Sequence, residues 1–101
     1  MHYRRFGKTE LALSVFSLGT MRCLASAEIL QQVLTAAVGH GINHIETAQA
    51  YGQSERYIGQ ALRSLDRSKL ILTTKLLPGS DVDRLVDKSL ERLGDTRHLY
   101  L

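Results

Sequence analysis

One cysteine stands in the 101 residues, Cys23, so no internal disulfide can form, and no second cysteine offers the spacing of a zinc or redox motif. No apolar run approaches the roughly 20 residues of a membrane span, which excludes a transmembrane helix. Arg4 and Arg5 are not followed by the apolar stretch of a secretory signal, and a cytoplasmic location is expected. No cluster of like charge is present either: 13 basic residues are interleaved with 10 acidic ones, so the net charge of +3 does not mark a nucleic-acid or membrane partner. A G-x-G-x-x-G run after a strand, the usual mark of a doubly wound dinucleotide fold, is also missing. His40 and His44 have helix-type spacing, but Gly39 and Gly41 flank the first and end any helix there, so no metal site is expected.

What is present is a soluble-domain composition, 44% hydrophobic and 23% charged, with an alternating pattern of elements. Residues 3–15 read as a β-hairpin turning at Gly7. A short strand, Val15 to Leu18, ends at Gly19. From the N-cap candidate Ser26, the stripe Ile29, Leu30, Val33, Leu34, Ala37 and Val38 predicts a helix stopped by Gly39 or Gly41. A strand at Ile42 to Glu46 is followed by a helix carrying Tyr57, Ile58, Ala61, Leu62 and Leu65. Ser54 and Glu55 open that helix, and its first turn is also a usable anion site.

A third strand, Leu70 to Lys75, precedes the break at Pro78 and Gly79. Ser80 and Asp83 then resemble a capping box for a helix through Val82, Leu85, Val86, Leu90 and Leu93, with Gly94 as its stop. His98 to Leu101 begin a fourth strand. Strand starts near residues 42, 70 and 98 recur every 28 residues, close to one βα unit of a barrel at roughly 30. Strand and helix in alternation predict a parallel sheet with all helices on one side, the arrangement of a barrel wall or of one face of an open sheet.

In either arrangement chemistry belongs to the loops after the strands. Those positions hold Gly19 to Arg22, Glu46 to Tyr51, and Lys75. A carboxylate, a tyrosine and a lysine on one rim have a physical use together. The ammonium favours the tyrosinate, the carboxylate fixes the lysine, and the phenol can then act as a general acid toward a carbonyl oxygen. Each residue also has a plainer reading: a packed loop tyrosine, a solvated lysine, a structural ion pair. His44 alternates with Glu46 on one strand face and reads as a hydrogen-bonded lining residue.

Four segments, YRRFGKTELALSVFSLGTM, GINHIETAQAYGQSERYIGQAL, TTKL and DKSLERLG, resemble the aldo-keto reductase family in order and spacing across essentially the whole chain. The resemblance implies an α/β fold that is a partial (β/α)₈ TIM barrel: an N-terminal hairpin, about three βα units and the start of a fourth strand. It implies that residues 1–101 form one truncated barrel domain. It further implies an NADP(H)-dependent reductase of small carbonyl substrates. Tyr51 then matches the proton donor, Lys75 the residue that tunes it, and Glu46 the position where the family has Asp. Gly19, Thr20 and Met21, with Glu46, match positions beside the nicotinamide and substrate. The family's catalytic His lies at the end of the fourth strand, and His98, at its start, does not match it. The isolated fragment is therefore expected to be inactive and to self-associate through open sheet edges. The alternative is a non-catalytic remnant or interaction module of the same fold.

Overall fold

The computed structural model describes residues 1–23, 25–94 and the backbone of 99–100. Its first unit is a hairpin, β1 (Tyr3–Arg5) antiparallel to β2 (Ala12–Ser14), with Gly7 at φ 58° in the turn, a conformation that favours glycine. The hairpin is stapled to the body through Asn43. Its side chain accepts from Ser14 N (2.8 Å) and donates to Ala12 O (2.8 Å), while its own N–H donates to Ser14 Oγ (3.1 Å).

The remaining strands form one parallel sheet in chain order: β3 (Leu18–Gly19), β4 (His44–Glu46), β5 (Ile71–Thr73) and β6 (Leu99–Tyr100). Three helices follow β3, β4 and β5 in turn: α1 (Ala27–Gly39), α2 (Ser54–Leu62) and α3 (Val82–Leu93). Between α2 and β5 lies one 3₁₀ turn, Arg67–Lys69. Consecutive strand order without reversal is the arrangement of a barrel wall.

Alternation along the strands sends Ile45 and Leu72, each 1% exposed, into the helix layer. They join Leu30 and Leu34 of α1, Ile58, Ala61 and Leu62 of α2, and Leu93 of α3 in a single core, so all three helices cover the same face. On the other face His44, Glu46, Ile71 and Thr73 are half-buried. α2 packs between α1 and α3. None of the helices among the described residues is long and apolar enough to cross a membrane.

Several boundaries differ from the sequence reading. The first parallel strand begins at Leu18 rather than Val15. Val15 N donates to His2 O (2.9 Å), keeping it with the hairpin, and Ser14 Oγ donates to Phe16 O (2.5 Å), turning the chain outward. α1 has the expected cap, with Ser26 Oγ accepting from Ile29 N at 3.2 Å, but Ile29 itself is exposed. α3 is capped by Asp81, whose Oδ1 accepts from Arg84 N at 3.2 Å, and not by Ser80 and Asp83. Gly94 ends that helix at φ 64°, as expected. His98 and the start of the fourth strand before Leu99 lie outside the described residues.

Candidate active site

Parallel pairing places Glu46 beside Gly19 and Thr73, so the residues following β3, β4 and β5 share one rim. There the Lys75 ammonium pairs with Glu46 Oε1 and stands 4.8 Å from the centroid of the Tyr51 ring. The extra methylene of Glu46 relative to Asp does not prevent that contact. Glu46 beside it holds the Lys75 amine above the ordinary lysine range, against some desolvation, and the neighbouring Tyr51 adds to the rise. All three predicted catalytic residues therefore meet. Tyr51 is half-buried in the turn before α2, where Gly52 takes a φ of 53° that directs the chain into the helix.

The rim is held from beneath by two buried polar networks that the sequence reading missed. In the first, Thr47 Oγ1 donates to Ser54 Oγ (2.9 Å), Ser54 Oγ to Thr20 Oγ1 (2.8 Å), and Thr20 Oγ1 to the Glu46 carbonyl (3.0 Å). Each hydroxyl has accepted or given what its neighbour needs, so the chain of bonds polarises cooperatively. It locks the backbone at the end of β4 to the loop after β3.

In the second network, Glu55 is 2% exposed and accepts from Thr74 Oγ1 (2.8 Å), Ser89 Oγ (2.7 Å) and the Arg92 guanidinium (3.4 Å). Gln49, 4% exposed, donates to Leu85 O (2.6 Å) and Ser89 Oγ (2.7 Å) and accepts from Leu77 N (2.9 Å). A carboxylate with three donors, one of them cationic, is a satisfied buried charge. Ser54 and Glu55 open α2 as expected, but both face inward, with the Glu55 carboxylate taken up by Thr74, Ser89 and Arg92. The only signal in the sequence was a polar pair where the helical stripe needed apolar residues.

The expected cofactor positions divide. Gly19 is exposed with nothing within 4 Å of where a Cβ would stand, and Met21 is 46% exposed. Thr20 is fully buried, with its hydroxyl spent on Glu46 and Ser54, so its side chain positions the rim rather than facing a ligand. Glu46 keeps Oε2 without a partner among the described residues. His44 bridges three strands on the half-buried face, its Nδ1 bonded to Ser17 Oγ (2.7 Å) and Nε2 to Thr73 Oγ1 (2.8 Å). Burial pushes its imidazole below the ordinary histidine range, against the pull of Glu46.

The aldo/keto reductase family model matches residues 16–98, most of the chain and every residue of this rim. The chain belongs to the aldo/keto reductase family. Solved structures agree. An aldo-keto reductase from Pseudomonas aeruginosa superposes with a TM-score of 0.84 and 33% identity over 95% of this chain and 43% of its own. The thermostable aldo-keto reductase Tm1743, solved with the inhibitor epalrestat, gives 0.85 and 27%, covering 97% and 40%. The holo form of an aldo-keto reductase from Bacillus halodurans, at 24% identity, shares the fold with a TM-score of 0.87, covering 97% and 38%. This chain thus spans less than half the length of these family members, and its fold is a partial TIM barrel.

Proposed function

We propose that the rim carries the proton-donating part of an NADP(H)-dependent carbonyl reductase site, with Tyr51 as acid, Lys75 as its electrostatic partner and Glu46 as the anchor of Lys75. The observation that supports this is the single ammonium shared by the Glu46 carboxylate and the Tyr51 ring. A cation so held stabilises the phenolate left behind when the Tyr51 hydroxyl protonates a substrate oxygen, and it needs no rearrangement to do so.

The residues present fit one end of a nicotinamide cofactor. Gly19 leaves open space for a flat group, and Glu46 Oε2 is available to accept from a hydroxyl such as that of a ribose. A reduced nicotinamide, when bound, supplies hydride to the carbonyl carbon. In that reading Met21 and Gly19 flank the reacting carbonyl, and the substrate is a small aldehyde or ketone. Most of the surface for the cofactor's phosphates and adenine comes from outside these residues, so the chain alone is expected to be inactive.

A chimera tests the reading, with this chain replacing the matching N-terminal part of the Pseudomonas aeruginosa protein. Aldehyde reduction that falls by about a hundredfold or more on Tyr51→Phe is the expected result. A folded chimera that binds NADPH and reduces no aldehyde overturns it.

A further inference from the structure

Away from the rim, α2 and α3 enclose a groove of about 570 Å³, within the roughly 300–1,000 Å³ typical of small-molecule sites. It exists because Gly59 lets the helices close at one point: a Cβ there would stand 2.4 Å from Arg92 O. Among the described residues, the charged side chains lining the groove are Arg56, Arg63, Arg67, Lys88 and Arg92, with Glu91 as the one carboxylate.

Charge that is scattered along the sequence is therefore gathered in space. Among the described residues that line the groove five are basic and one is acidic, against 13 and 10 in the whole chain. Two of the five have protein partners: Arg92 Nη1 donates to Glu55, and Arg67 Nη1 to Leu70 O. Arg56, Arg63 and Lys88 form no ion pair among the described residues, and Arg56 and Arg63 are exposed. Arg92 Nε is buried without an acceptor. Repulsion among Arg56, Arg63 and Lys88 around one concavity is a cost that a bound anion removes.

We propose that this groove binds a small molecule carrying two or more phosphate groups. Four of the five cations are arginines, whose planar fork of donors matches phosphate oxygens bidentately. Glu91 and the C-terminal ends of both helices disfavour an anion, so the side chains rather than the backbone hold it.

The test uses the isotope-labelled full chain, titrated with inorganic tripolyphosphate at low ionic strength. Saturable amide shifts on residues 56–63 and 88–94 are expected, with orthophosphate binding more weakly. Joint replacement Arg56→Ala and Arg63→Ala is expected to weaken binding about tenfold or more. Arg4→Ala with Lys8→Ala, which removes the same charge from the hairpin, leaves it unchanged. Shifts that never saturate, equal weakening in the hairpin variant, or tighter binding of a single-stranded oligonucleotide through the same residues would each overturn the proposal.

Discussion

The backbone N–H of Gln49 donates to the carbonyl of Lys75 at 2.9 Å, so the residue that fixes the loop before Tyr51 also fixes the end of the strand carrying Lys75. The side chain of Gln49 extends this tie to α3 through Leu85 O and Ser89 Oγ. Spacing between phenol and ammonium is therefore set by a buried residue three after Glu46 and two before Tyr51, together with the Glu46–Lys75 pair itself.

Gln49→Ala removes the side-chain amide, strands Leu77 N and takes a donor from Ser89 Oγ. Each unsatisfied buried group costs about 1–3 kcal/mol, so the urea midpoint of the chain should fall clearly. An unchanged midpoint would mean that water replaces the amide.

Glu55→Ala is expected to be harsher, at about 3–5 kcal/mol, since it leaves Arg92 charged and buried with its partner gone. Pairing it with Arg92→Met should recover much of the loss. Circular-dichroism melts of the single and double variants provide the measurement, and a double variant no better than the single one contradicts the ion-pair account.

His44 predicts the pH response. Its folded-state pKa is depressed, so between that value and the unfolded value of about 6.5 the unfolded chain binds the extra proton. Stability from this group is thus complete above the unfolded value and declines as pH falls through it, levelling off below the folded one. His44→Gln should flatten the difference in denaturant midpoint between pH 7.5 and 5.5; a slope that persists assigns the response elsewhere.

Self-association is a further expectation. β3 is an edge strand, and Val15 and Phe16 beside it are 47% and 66% exposed, so a second copy has both backbone and apolar surface to pair with. Sedimentation equilibrium should show mass rising with concentration; a monomer across the range would refute this.

The order of strands and helices was legible because each helix carries an apolar stripe of the right period, and α1 and α3 end at Gly39 and Gly94. The rim was legible because Glu46, Tyr51 and Lys75 follow strand ends and resemble a family motif. Their supports were not. Ser54 and Glu55 occupy a helix start, where polar residues usually cap, and it is the packing of Thr20 and Thr47 on Ser54 and of α3 on Glu55 that buries them. Asn43 reads as part of the strand Ile42 to Glu46, and nothing local shows that its side chain holds the hairpin. Phe16 and Val15 have strand propensity, and a serine hydroxyl overrules it. The basic groove was invisible for a related reason: Arg56 and Lys88 lie far apart in sequence, and only the close approach at Gly59 makes them neighbours.

The consecutive strand order bears on how the molecule is made. A wall laid down in the sequence in which it is synthesised never asks an early segment to wait for a distant one, since each new strand meets its neighbour already seated. By the time Lys75 has left the ribosome, both of its companions have been translated, and only α3 is needed to clamp them.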